Sequence, residues 1–133
     1  MSHYHAVVWI DHAEAHVMHI SPDDIESSIV RPANGHKKLH HKRGNDMGGA
    51  VGSGRTPEDQ HFYHEVVDAL KGAQEVLIVG PANAKLNLLK HIHSHDQGMV
   101  DKVIGVESID HPTDAQLVAY ARKYFVAADR MRP

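Results

Sequence analysis

Residues 36–55 read HKKLHHKRGNDMGGAVGSGR, and the side chains in and around this segment are suited to one kind of chemistry. Over 31–55, six Lys and Arg (Arg31, Lys37, Lys38, Lys42, Arg43, Arg55) face a single acid, Asp46, for a net charge of +5. The whole chain carries −3, so the remaining residues sum to −8. Six of the ten glycines also fall here, Gly48 and Gly49 among them. Lysine and arginine neutralise phosphates, and glycines let a backbone approach a ligand closely. A basic, glycine-rich arm on an acidic body therefore fits contact with a polyphosphate such as RNA. The competing readings are a surface loop whose charge serves no purpose and a protein-interaction module without RNA binding.

Three other groups invite chemistry. His91, His93 and His95 form an HxHxH run, but residues i and i+2 of a helix point about 200° apart, so the three do not converge on one metal ion. Imidazoles near a helix C-terminus, where their charge is favourable, account for them. His36, His40 and His41 lie in the basic segment, where stacking on bases or phosphate contact is as reasonable as metal binding. Asp11, Glu107 and Asp110 sit at expected strand ends, where a metal-assisted nuclease would place its carboxylates. Aspartate also bonds its own downstream backbone in turns, and that role needs no metal. Gly80-Pro81-Ala82-Asn83-Ala84-Lys85 joins a strand to a helix and lacks the second glycine and the Lys-Ser/Thr pair of a phosphate-binding loop. There is no cysteine and no G-x-S-x-G elbow, so the common nucleophilic hydrolase signals are missing. No catalytic residue, metal site or cofactor is expected.

The elements that position these groups follow from periodicity. Tyr4–Ile10 and Ala15–Ile20 predict a hairpin, and Ile25–Val30 a third, more exposed strand. Thr56 and Pro57 open a helix whose apolar stripe is Phe62, Val66, Ala69 and Leu70, with Gly72 ending it. Glu75–Val79 is continuously apolar beyond its first residue, as a strand covered on both faces should be. A helix over about 82–95 is expected to bury Leu86, Leu89 and Ile92, with Leu88 at the edge. A strand over 102–109 follows. Thr113 and Gln116 then form a capping box for a last helix that buries Leu117, Tyr120, Ala121 and Tyr124. The order β-β-β-α-β-α-β-α gives an α/β fold: a mixed sheet with helices on both faces, RNase H-like in plan. At 133 residues the expectation is one domain. The N-terminus lacks the pattern of a signal peptide, and no apolar run reaches the roughly 20 residues of a membrane helix. A cytoplasmic protein without membrane contact is the expectation.

Three stretches, YHAVVWIDHAEAHVMHI, EVLIVGPANAK and KVIGVESIDHPTDAQL, resemble the opening hairpin, the central strand and turn, and the last strand and helix start of one domain. It is the middle domain of the eukaryotic and archaeal class I peptide-release factor and of its ribosome-rescue relative Pelota. The resemblance covers nearly all of the chain, and the basic loop at 32–55 falls where the release factor carries its GGQ loop. Bacterial single-domain proteins of this type are usually described as translational machinery components. The resemblance implies a partner in the ribosome or tRNA, met through Lys37, Lys38, Lys42, Arg43 and Arg55, with Gly48 and Gly49 at the tip. It also marks a departure. The GGQ motif aligns with Gly48-Gly49-Ala50, so the glutamine that positions water in the release factor is replaced by a methyl side chain. The Pelota-like state, without GGQ, is the nearer analogy.

Overall fold

The computed structural model describes residues 5–32 and 57–130. The strands are β1 His5–Ile10, β2 Ala15–Ile20, β3 Ile25–Val30, β4 Glu75–Gly80 and β5 Val103–Ser108. The helices are α1 Pro57–Leu70, α2 Ala84–His95, α3 Gln97–Val100 and α4 Asp114–Arg130. Among the described residues, the short α3 is the one element that the periodicity missed; four residues are too few to show a helical repeat.

The strands form one sheet in the order β3-β2-β1-β4-β5. β1–β2 and β2–β3 are antiparallel, as tight turns require; β1–β4 and β4–β5 are parallel, as helical crossovers require. β1 and β4 are central, which explains their apolar runs: almost every residue is buried, whichever face it points to. β3 lies at one edge and exposes most of its length.

Alternate residues of the central strands feed two cores. One face carries Ala6, Val8, Ile10, Val17, Val76 and Ile78 against Phe62, Val66 and Leu70 of α1 and Leu88 and Ile92 of α2. The other carries Val7, Trp9, Met18, Leu77 and Val79 against Leu117, Ala121 and Phe125 of α4. Helices thus cover both faces. Burying a side chain such as Leu70 or Leu88 contributes about 1.5–3 kcal/mol.

The helix stripes differ in detail from the expectation. α1 also buries Tyr63 and Val67, while Ala69 is only partly covered. α2 buries Ala84, Lys85, Leu88, His91 and Ile92, whereas Leu86 is 45% exposed. The helix begins at Ala84 rather than Ala82, and it packs through the row Ala84, Leu88, His91 and Ile92 rather than through Leu86. α4 buries Leu117, Ala121 and Phe125, the clean i, i+4, i+8 row, and leaves Tyr120 and Tyr124 at the margin.

Local signals set the boundaries. Gly72 ends the α1 turn at φ +99°, a conformation open to glycine. Thr113 N–H donates to Gln116 Oε1 at 2.9 Å and Gln116 N–H to Thr113 Oγ1 at 3.1 Å, the reciprocal capping box. Gly80 passes so close to β1 that a Cβ there would lie 2.2 Å from Ile10 O. Thr56, expected as the α1 cap, and Tyr4 lie outside the described residues.

Candidate functional site

The carboxyl ends of β1, β4 and β5 fall on one edge of the sheet. Val30, the last residue of β3, pairs with Ala15, which pairs in turn with Ile10, so β3 also ends there. The described chain beyond β3, Arg31 and Pro32, therefore starts from this end of the sheet. Lys37, Lys38, Lys42, Arg43, Gly48, Gly49 and Arg55, with Ala50 and His36, His40 and His41, lie outside the described residues.

Asp11 organises the edge. Its Oδ1 accepts from Ala13 N–H at 2.8 Å and Glu14 N–H at 2.9 Å, and Asp11 N–H donates to Glu14 O at 3.0 Å. This is the side-chain-closed turn that aspartate favours. It places Glu14 where Oε2 meets the His16 ring N–H at 2.8 Å and Oε1 meets Arg31 Nε at 3.1 Å. The His16 hydrogen bond foremost holds the Glu14 carboxyl below its ordinary value; desolvation opposes it, and the charges of His16 and Arg31 add to the lowering. Trp9 lies beside this pair. Its indole N–H donates to Asp110 O at 2.7 Å, and the His111 and His16 rings flank it at 4.8 and 5.7 Å. Trp9, Glu14, His16, His111, Asp114 and Leu117 line most of a cleft of about 190 Å³.

The nuclease alternative finds no support here. Among the described residues, the groups of three His, Asp or Glu donors within 4.8 Å of one another are His64–His91–Asp96 and His5–Glu75–Asp129. Asp11, Glu107 and Asp110 do not converge. Asp11 closes the turn with Oδ1 and faces His111 Nε2 with Oδ2 at 3.7 Å, and Glu107 lies near the tyrosines of α4. Burial, and then the Glu107 charge, raise the Tyr120 and Tyr124 hydroxyls above their usual range. The strand-to-helix turn is no anion site either, because Lys85 is buried and its ammonium donates to Ala82 O.

The HxHxH run divides as helix geometry demands. His93 and His95 are exposed, while the His91 side chain is only 4% exposed. Burial foremost, with the His95 charge next, lowers the His91 pKa; Asp96 opposes the shift. Solvation accounts for His93 and His95 but not for His91. The missed signal was spacing: His91 lies three residues past Leu88 and seven past Ala84, on the buried row. The other group sits at the opposite end of the sheet. There His5 Nε2 lies 3.2 Å from the buried Glu75 Oε1, and the His5 ring stacks on Phe125 at 4.1 Å.

Element order, sheet topology and two-sided helix cover define a mixed α/β sandwich, and solved structures share it. Pelota from Archaeoglobus fulgidus superposes with a TM-score of 0.60 at 13% identity, over 90% of this chain and 30% of that one. Dom34 from S. cerevisiae, described as a translation termination-like factor involved in RNA quality control pathways and interacting with Hbs1, gives 0.56 at 11% identity, over 87% and 31%. The archaeal translation termination factor aRF1 gives 0.53 at 13% identity, over 96% and 38%. The chain thus spans about a third of the length of these structures. At such identities the likeness is one of fold. No family model and no curated protein matches the chain.

Proposed function

We propose that this protein is a translation-associated RNA-binding domain that meets the ribosome or tRNA through the basic segment at 32–55. One observation carries the reading. A stretch of net charge +5 is inserted between β3 and α1 of a fold shared with Pelota, Dom34 and an archaeal termination factor. Lys37, Lys38, Lys42, Arg43 and Arg55 contact phosphates, and Gly48 and Gly49 allow close backbone approach. The body, at −8, is repelled by the same polyanion, so the segment determines the face of approach. Residues 1–133 act as one such domain in the cytoplasm. With Ala50 in the place of the glutamine, the domain binds without hydrolysing peptidyl-tRNA.

The test is charge reversal. The double variant Lys42→Glu, Arg43→Glu is expected to weaken co-sedimentation with ribosomes. It should lower the slope of log K against log salt by about two, since each phosphate contact contributes close to one. The melting temperature should stay put, because exposed charges hardly affect folding. Binding that survives the reversal with its salt slope intact sinks the proposal. Retention from lysate should also disappear after RNase treatment.

A further inference from the structure

Outside the basic segment and the sheet edge, the geometry points to a binding site for a divalent transition-metal ion, zinc in chemical class, held by His64 of α1, His91 of α2 and Asp96 between α2 and α3. The donor atoms of the three lie within 4.8 Å of one another, and His91 Nε2 and Asp96 Oδ2 are 3.5 Å apart. Zinc bonds of about 2.0–2.2 Å put tetrahedral ligand atoms about 3.3 Å from each other, so that pair is already close to ligand spacing. The His64 side chain is 54% exposed, and its ring faces the exposed Asp68 carboxylate at 3.8 Å, a surface pairing that a metal ion can displace.

Three features separate this group from a chance cluster. The first is the tautomer of His91. Gln60 Oε1 can only accept, so the 2.9 Å contact makes His91 Nδ1 the donor and, in the neutral ring, leaves the Nε2 lone pair pointing the other way. Metal-bound histidines are commonly fixed in this way, through a carbonyl on the far nitrogen. The second is that His91 Nε2 and Asp96 Oδ2 are buried and neither has a hydrogen-bond partner. In the neutral ring, a lone pair and a carboxylate oxygen facing each other at this distance repel unless a proton or a metal ion lies between them. The third is the conformation of Asp96. It occupies the N-cap position of α3, where an aspartate normally caps the helix with its side chain, yet it makes no such bond. Its carboxylate turns back toward His91 instead.

Two nitrogens and one oxygen suit zinc, nickel or copper better than magnesium or calcium, which prefer all-oxygen shells. Three protein ligands leave one coordination position. The His95 ring lies beside that of His91, with centroids 4.7 Å apart. A bound ion would tie α1, α2 and α3 together on the face away from α4.

Zinc alone is the probe, with cobalt as its visible surrogate, on the metal-free full-length chain. One equivalent of cobalt is expected to produce tetrahedral d–d absorption that zinc abolishes, and zinc should raise the melting temperature. His64→Ala and Asp96→Asn should each weaken zinc binding at least about tenfold, and so should Gln60→Ala through the orientation of His91. His93→Ala should leave it unchanged. His64 is exposed, so its variant stays folded and decides the matter even if Asp96→Asn does not fold. The proposal is overturned if the cobalt spectrum is absent or survives His64→Ala. It is equally overturned if binding disappears on replacing His36, His40 and His41 instead.

Discussion

The indole N–H of Trp9 reaches Asp110 O at 2.7 Å, joining the end of β1 to the β5–α4 connection across 101 residues of chain. It is a partly buried bond, and it holds the β5 exit against the strand whose turn carries Asp11 and Glu14. Trp9→Phe keeps a ring in the core but removes the donor. The expected cost is about 1–2 kcal/mol, seen as a melting temperature lower by roughly 4 °C in circular dichroism. An unchanged melting temperature means that water replaces the indole at no cost.

Two glycines should respond in opposite ways to the same substitution. Gly80→Ala forces a methyl to within 2.2 Å of Ile10 O, a backbone atom held in the central strand pair, and should cost at least about 3 kcal/mol or prevent folding. Gly98→Ala, in α3, meets nothing within 4 Å and should stabilise by about 0.4–1 kcal/mol. Denaturant midpoints of the two variants check both signs. Equal effects would mean that the Gly80 approach relaxes freely.

Acid should expose the Glu14 interactions. Because the His16 hydrogen bond lowers the Glu14 pKa from 4.5, the folded state binds fewer protons than the unfolded state below that value. The stabilisation is therefore complete above pH 4.5 and is lost as pH falls through the lower folded-state value. Glu14→Gln should melt at a lower temperature than the parent at pH 6, and the gap should close on acidification below 4.5. A gap that does not depend on pH would falsify the assignment of Glu14 as the linked group.

Much of this architecture was legible because it rests on short-range physics. The two apolar strand runs announced burial on both faces. Asp11, Gly72 and the Thr113–Gln116 box gave their turns and caps from residue type alone. Side-chain direction was harder to read. α2 has apolar residues on more than one face (Leu86, Leu88, Leu89, Ile92), so the row that meets the sheet depends on how the helix packs, a tertiary matter. The orientation of α2 on the sheet puts Leu86 outside and His91 inside. Asp96 was invisible as a partner, because only the fold brings the end of α2 to His64 on α1. The charge of the basic segment, by contrast, could be counted without any fold at all.

The sheet order also sets a timetable. β1, β2 and β3 meet through turns of four residues and can form their ladders early, whereas β1 must find β4 across the 70 residues that separate His5 from Glu75. The basic segment lies inside that span, so it lengthens the slowest closure. Loop entropy grows only logarithmically, however. Removing 20 residues from it would lower the closure cost by about 0.3 kcal/mol and speed folding less than about twofold. Stopped-flow refolding of such a deletion should show this small gain. For its folding rate, the protein gives up almost nothing by carrying a long arm.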